Sequence, residues 1–388
     1  MILAIPLFLL FCVYGVVNAY LPVLLSSLGY SIAHIGILQG IFEASGMLIP
    51  VFVSSRVERN GNYGWVVIIL AAVMIVVLPP LALVITFPVT AIALAFLAVG
   101  YKGTVPLVDA MVSHSLGDKT VNYGKIRVMG SIGFVCMTLL LQFTPLVNPS
   151  SPPSIARMFA LPSFLFILSM LFIPGLLVKR PPSADASSDK GLSRMGIRSY
   201  LEQFPRSFWI GVFLIFLGFF GMTPSQRFLS LYVRDYLGLE SYAGLWALSA
   251  AAEIPFMFLS GWFIGKWGTR RILLFALISI TARNLVYASF PTFSGAIAGQ
   301  LFHSVCFGLF HPAAVVFISE RVPKRLLAVG LTIYTSVAVS MSSVIGNVAG
   351  GFIIDRWGYR VLFVFFSVFP LLGVLFFMLM RTRKQGTH

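Results

Sequence analysis

Residues 106–134 read PLVDAMVSHSLGDKTVNYGKIRVMGSIGF. The stretch joins two strongly apolar segments through a short basic loop. It sets a carboxylate, Asp109, and a guanidinium, Arg127, where those segments end and begin. A charge at membrane depth is costly unless paired or wetted, so such residues are functional candidates by default. Two of them across a tight loop point to a solute or ion site.

Outward from this stretch the chain stays apolar. Of its 388 residues, 58% are hydrophobic and only 10% charged, where a soluble chain carries roughly 25% charged residues. A helix crosses the hydrocarbon with about 20 apolar residues, so the length suits about twelve crossings joined by short loops. The net charge of +15 does not point to nucleic acid, because no basic segment interleaved with stacking aromatics stands outside the apolar spans. Lys and Arg collect in alternate loops instead, the mark of cytoplasmic loops under the positive-inside rule. Cys12, Cys136 and Cys306 all sit inside apolar segments and offer no metal-ligand spacing. The start at Met1 is apolar without a basic region, which favours a first spanning helix over a cleavable signal.

Apolar segments run at about 3–25, 35–53, 65–85, 89–112, 126–146 and 158–178, and again at about 207–228, 241–264, 271–290, 293–318, 327–353 and 361–380. Between the two sets, KRPPSADASSDKGLSRMGIRS at 179–199 is polar and basic. It buries too little apolar area to fold alone and reads as a cytoplasmic linker. The expected organisation is an N-terminal six-helix bundle over 1–178, a linker over 179–206, and a C-terminal six-helix bundle over 207–388. Even-to-odd loops carry Arg56, Arg59, Lys119, Lys125, Lys266, Arg270, Arg271, Arg321, Lys324 and Arg325, and the opposite side keeps Arg157, Arg234, Arg356 and Arg360. Both termini are therefore expected in the cytoplasm. Trp65, Trp209, Trp262, Trp267 and Trp357 lie near segment ends, where interfacial aromatics belong.

The halves echo each other. Segment two ends in SSRVERNG, segment eight in GWFIGKWGTRR and segment eleven in GGFIIDRWGYR. Each is a helix end turning tightly back beside a basic residue and a glycine. Independent helix caps account for any one copy; corresponding places in two six-helix halves favour the duplicated architecture common in transporters.

Six plus six helices, a basic linker and these turns resemble the major facilitator superfamily over nearly the whole chain. The resemblance implies an all-α membrane protein, twelve transmembrane helices in two pseudo-symmetric six-helix bundles. Its loop motif is a glycine followed by Asp-Arg-x-Gly and a basic residue. The first copy here keeps Arg59 and Gly61, with Ser54 for the first glycine and Glu58 for the aspartate. The second keeps Gly261, Lys266, Gly268 and Arg270, with Gly265 at the acidic position. These are the expected gating residues. Within the superfamily the frame PxxDA…YGKIRVMGSIGF is similar to the lactose permease and phenylpropionate permease group, whose carboxylate on helix four and arginine on helix five match Asp109 and Arg127. Glu253 in LWALSAAAEIPFMF, Arg283, and His303 in QLFHSVCFGLFH also resemble family positions. Where lactose permease has its proton-carrying glutamate, three residues after the histidine, this chain has Cys306.

Each polar residue admits a bland reading beside the functional one. Asp109 and Arg127 are an inert ionic cap within snorkelling reach of an interface, or a solute site. Lys102 precedes Asp109 by two helical turns, so both project from one face about 10 Å apart, and that face turns to a cavity or a polar helix. Glu253 locks to Arg283 as a structural pair, or takes up a proton in competition with solute occupancy. His303 and His311 sit about 12 Å apart along one helix and either bridge helices or form a relay with Glu253 and Arg283. Glu43 pairs with a basic neighbour or shares in coupling. Arg227 rests at the outer interface or draws in anions. Tyr14, Asn18 and Asn347 form hydrogen-bonding rims for a polar solute, or glue helices together.

The reading that follows is proton-coupled uptake of a small carboxylate, sugar or nucleoside by alternating access, in the bacterial inner membrane. Asp109, Arg127, Lys102, Asn18, Tyr14, Asn347 and Arg227 bind solute, while Glu253, Arg283, His303, His311 and Glu43 handle the proton. The expected partners are solute, protons and lipid, with no cofactor, no metal and a monomeric chain. A phosphate loop is missing, which argues against ATP, and no nucleophile–base pair stands at a spacing that suits an enzyme. The rivals are a proton-driven exporter of amphipathic compounds and a solute sensor on a transporter fold.

Overall fold

The computed structural model describes residues 3–83, 86–116, 123–173, 177, 201–323 and 326–382; the 179–199 linker and Lys119 lie outside them. Helix follows helix, as a chain in lipid requires, since no water is present there to satisfy open backbone groups. The first helices are α1 (Ala4–Ser27), α2 (Ile32–Asn60), α3 (Tyr63–Val76 continued by Leu78–Leu83), α4 (Phe87–Leu116), α5 (Tyr123–Phe143) and α6 (Pro152–Phe172). Then come α7 (Arg206–Arg227), α8 (Tyr242–Trp267), α9 (Thr269–Ser289) and α10, which is broken into Phe293–Leu301, His303–Cys306 and Phe310–Ser319. Helix α11 begins as Leu327–Ile333, passes through a π-helical stretch, Tyr334–Met341, and continues over 342–357. Gly358, at φ 80° and ψ 177°, ends it, and α12 covers 359–382.

Ten stretches are long and apolar enough to cross a membrane. The Ile32–Asn60 helix adds one more, and the last stretch holds both α11 and α12. Twelve spans result, and the chain is an all-α, multi-pass membrane protein. Large apolar side chains face outward, among them Phe258 at 85% and Phe143 at 80% exposure, as a lipid-facing surface demands. All five end-of-segment tryptophans are exposed.

Helix α6 starts at Pro152, earlier than the apolar run beginning at Met158 suggests. Its two prolines, Pro152 and Pro153, occupy the first helical turn, where a missing N–H is no loss and the fixed φ suits a helix. Helix α2 likewise runs on to Asn60 through the charged end of SSRVERN, because those side chains need water and the backbone does not.

Contacts divide the chain into a unit of Met1–Tyr30 with Ile41–Ser199 and a unit of Ser31–Gly40 with Tyr200–His388. In the first, α1 packs on α5 and α6, and α3 on α4 and α6. Gly133 of α5 sits so close to α1 that an added Cβ would lie 2.2 Å from the Phe8 carbonyl oxygen. Small residues at such crossings let backbones touch, which replaces the hydrophobic drive that lipid removes. In the second unit α7 and α9 pack on residues 342–382 around Phe208, Ile215, Phe219, Ile280, Phe310 and Tyr334.

The repeated turns share one backbone device. Gly61, Gly268 and Gly358 all have positive φ, at 71°, 77° and 80°. The N–H groups of Gly61 and Gly268 each donate to the carbonyl four residues back at 2.7 Å. Gly268 has ψ 152°, a region essentially reserved for glycine.

Candidate functional site

Two polar clusters stand at membrane depth, one in each unit. In the first, Asp109 comes from α4 and Arg127 from the second turn of α5. Arg127 Nε lies 3.6 Å from Asp109 Oδ1, with about a third of each side chain exposed, 34% and 29%. The guanidinium carbon also sits 4.3 Å from the centre of the Phe11 ring on α1. Phe11 stacks on Tyr14 at 5.2 Å and Tyr14 on Tyr101 at 3.8 Å, and the Tyr14 hydroxyl donates to the Tyr101 carbonyl at 2.6 Å. Asn18, one turn beyond Tyr14, is half-buried.

Lys102 faces α2 and forms an ion pair with Glu43, whose side chain is 2% exposed. Gly46, one turn from Glu43, leaves room for the lysine stem: an added Cβ would lie 2.4 Å from Lys102 Cδ. Lys102 and Asp109 therefore belong to two separate ion pairs. Glu43, expected among the proton-handling residues, and Lys102, expected among the solute-binding ones, are partners.

The second cluster is built by α8, α9 and α10. Arg283 of α9 is buried, 1% exposed. One terminal nitrogen lies 3.1 Å from His303 Nδ1, and the other donates to Gln300 Oε1 at 2.7 Å. His303 Nε2 in turn stands 3.3 Å from Glu253 Oε2 on α8. The direct Glu253–Arg283 pair expected as the structural reading is therefore not what forms; an imidazole stands between them. The order matters chemically. A guanidinium can only donate, so Nδ1 accepts, and in the neutral ring the proton sits on Nε2, the nitrogen facing the carboxylate.

The continuous tenth helix of the sequence reading is a second correction. The helix breaks at Phe302 and at 307–309, and Phe307 stacks between His303 and His311, with ring centres 5.5 and 5.4 Å apart and planes within 8° and 2°. His311 Nδ1 is 2.7 Å from the Tyr334 hydroxyl at the head of the π-helical stretch. The two histidines thus form separate stations with a phenyl ring between them.

Arg227 closes α7, half-buried. Asn347 of α11 is fully buried, and neither atom of its amide has a hydrogen-bond partner among the described residues. Glu58 and Arg59 fall on the last turn of α2, their side chains outside the described residues. Gly261 and Gly265 lie on the exposed end of α8 with open space about them, Lys266 lies over Trp262 at 4.8 Å, and Arg270 over Phe377 at 5.3 Å. The second turn lacks an acid of its own at Gly265, and Glu320 from the end of α10 supplies one, accepting from Thr269 at 3.1 Å and Arg321 at 3.2 Å. Burial lowers the Arg321 pKa from its ordinary value, with Glu320 opposing the shift.

Sequence reasoning missed Gln300, Tyr287, Phe307, Tyr334, Phe11 and Tyr101. Only Gln300 carried a signal, a lone amide one turn before His303 in an apolar run. Aromatic residues in a chain with 36 phenylalanines and 13 tyrosines do not announce themselves.

Known proteins of this kind share the architecture. The chain is 27% identical over 282 residues to the maltose permease of Geobacillus stearothermophilus, covering 72% of this chain and 68% of that one. It is 23% identical over 372 residues, 93% of each chain, to an Escherichia coli (strain K12) protein described as "Probable 3-phenylpropionic acid transporter". Its fold matches a crystal structure of a mutant form of nucleoside transporter NupG with a TM-score of 0.86 over 98% of both chains, at 16% identity. The duplicated turns, the twelve spans and a match over residues 1–365 lead to one conclusion: the chain belongs to the MFS_1 like family.

Proposed function

We propose that this membrane transporter couples uptake of a small organic solute to uptake of a proton, by alternating access. The observation that carries the reading is the Glu253–His303–Arg283 chain. Because Arg283 occupies Nδ1 as a donor, His303 cannot take a second ring proton without breaking that bond. An arriving proton therefore goes to Glu253, a carboxylate well inside α8. Its neutralisation removes the negative end of the chain, so proton occupancy changes the electrostatics that hold α8, α9 and α10 together.

Solute binding falls to Asp109, Arg127 and the Phe11–Tyr14–Tyr101 stack. Carboxylate and guanidinium together offer acceptors and donors to hydroxyls or acids, and aromatic faces suit a ring. The names of the relatives, a maltose permease and a 3-phenylpropionic acid transporter, support a solute of this size. The setting proposed is the bacterial cytoplasmic membrane with both termini inside, the chain acting as a monomer with no nucleic-acid partner and no catalysed reaction.

Glu253→Gln in proteoliposomes tests the assignment. It should abolish accumulation driven by a pH gradient while leaving solute exchange at near-normal rates. Gradient-driven accumulation that persists in Glu253→Gln contradicts it.

A further inference from the structure

We propose that Arg283, Gln300 and Tyr287 form a carboxylate-binding subsite, so that the solute is an organic acid whose anion enters with one proton. Arg283 is a permanent cation at 1% exposure, and among the described residues no carboxylate lies within 4.0 Å of it. Its bonded partners, Gln300 and His303, are neutral. Among the described residues, the buried Arg283 Nε and Gln300 Nε2 have no acceptor, and the buried Tyr287 hydroxyl, which interacts with the Arg283 guanidinium, has no acceptor for its own proton.

These donors lie together. The guanidinium carbon is 5.8 Å from the Tyr287 ring centre. The Tyr287 hydroxyl rests on Gly299, where an added Cβ would lie 2.8 Å from it, and Gln300 is the next residue. A buried cation ringed by unfilled donors lacks a planar acceptor with several lone pairs, which is what a carboxylate presents to a guanidinium fork. A neutral polyol brings no compensating charge. The other titratable neighbours are Cys306, buried in the same cluster, and His311, held by Tyr334.

The one-proton stoichiometry rests on Glu253 as the proton carrier proposed above. With Glu253 ionised, its charge balances Arg283 across the imidazole. With Glu253 protonated, Arg283 loses that balance and the solute anion restores it. Proton and anion therefore bind together, and the loaded site has the same net charge as the empty one.

The test uses the full-length protein in liposomes with 3-phenylpropionate as the probe, and its neutral alcohol, 3-phenylpropanol, maltose and uridine as comparators. Uptake of 3-phenylpropionate should be saturable, driven by an alkaline interior and unchanged when a potassium–valinomycin clamp alters the membrane potential. The alcohol should not compete. Tyr287→Phe should raise KM about ten-fold, the loss of a hydrogen bond to a charged group. Gln300→Glu, which supplies an internal counter-ion, should remain folded in thermal unfolding and lose the acid. Uptake of maltose or uridine that no carboxylate inhibits, or acid binding unaffected by Gln300→Glu, overturns the subsite. Acid uptake that Gln300→Glu abolishes, but that moves no protons, leaves the subsite standing and overturns both the one-proton coupling and the reading of Glu253. No saturable binding of any carboxylate by the folded protein also overturns the subsite.

Discussion

Glu43 keeps its charge at 2% side-chain exposure because Lys102 sits against it, reaching α2 across Gly46. Removing one partner takes the opposite charge of this pair away from the other. Lys102→Met is expected to destabilise the protein by about 3 kcal/mol, the lower end for a broken buried pair because Lys102 keeps some contact with solvent. The double change Lys102→Met with Glu43→Leu should recover most of that loss, and thermal unfolding in detergent reads both. Which charges lie inside the spans was legible at this scale, because Glu43, Asp109, Glu253 and Arg283 each interrupt an apolar run. Which charge meets which was not. Glu253 and Arg283 are both deep, and their opposite signs suggest a direct pair; only the fold inserts His303 between them. Asn347 and Gln300 are equally plain amides in the sequence, yet one is bonded to a guanidinium and the other to nothing among the described residues.

At the scale of elements, the α1–α5 contact depends on Gly133. A methyl group there would meet the backbone oxygen of Phe8 at 2.2 Å, and backbone cannot swing aside as a side chain can. Gly133→Ala should cost about 1–3 kcal/mol, the usual penalty for overpacking. Gly261→Ala, inside a helix with open space around it, should raise the unfolding temperature slightly, through about 0.5–1 kcal/mol of helix preference. Gly268→Ala faces no neighbour either, but its φ of 77° and ψ of 152° predict a loss of about 1–3 kcal/mol from strain alone. Apolar run length gave helix existence well and helix continuity poorly. Helix α10 reads as one span because hydrophobicity does not change across its breaks. Gly308 and Pro312 were the available clues: a proline lacks the N–H that would bond the carbonyl four residues earlier, here that of Gly308. The π-helical stretch of α11 left no trace in YTSVAVSM.

For the whole molecule, charge asymmetry and duplication carried the architecture. Length and apolar runs gave the count of spans, the glycine-ended turns after segments two and eight gave the repeat, and alternating Lys and Arg content gave an expected orientation. The orientation is itself testable in a cysteine-free background. With an impermeant thiol reagent on intact cells, Ser150→Cys, in the exposed loop between α5 and α6, should be labelled. Arg270→Cys should be labelled only after lysis. What length and composition left unread were the helix ends set by prolines at α6 and by charged turns at α2, since those depend on backbone chemistry and on water at the interface.

The most direct test is the pH change outside proteoliposomes when the transported solute is added, with wild-type protein beside Glu253→Gln. Symport through Glu253 predicts external alkalinisation with wild type and none with Glu253→Gln, while solute exchange continues in both. Alkalinisation of equal size in Glu253→Gln, or solute entry through the wild type with no proton movement, contradicts it.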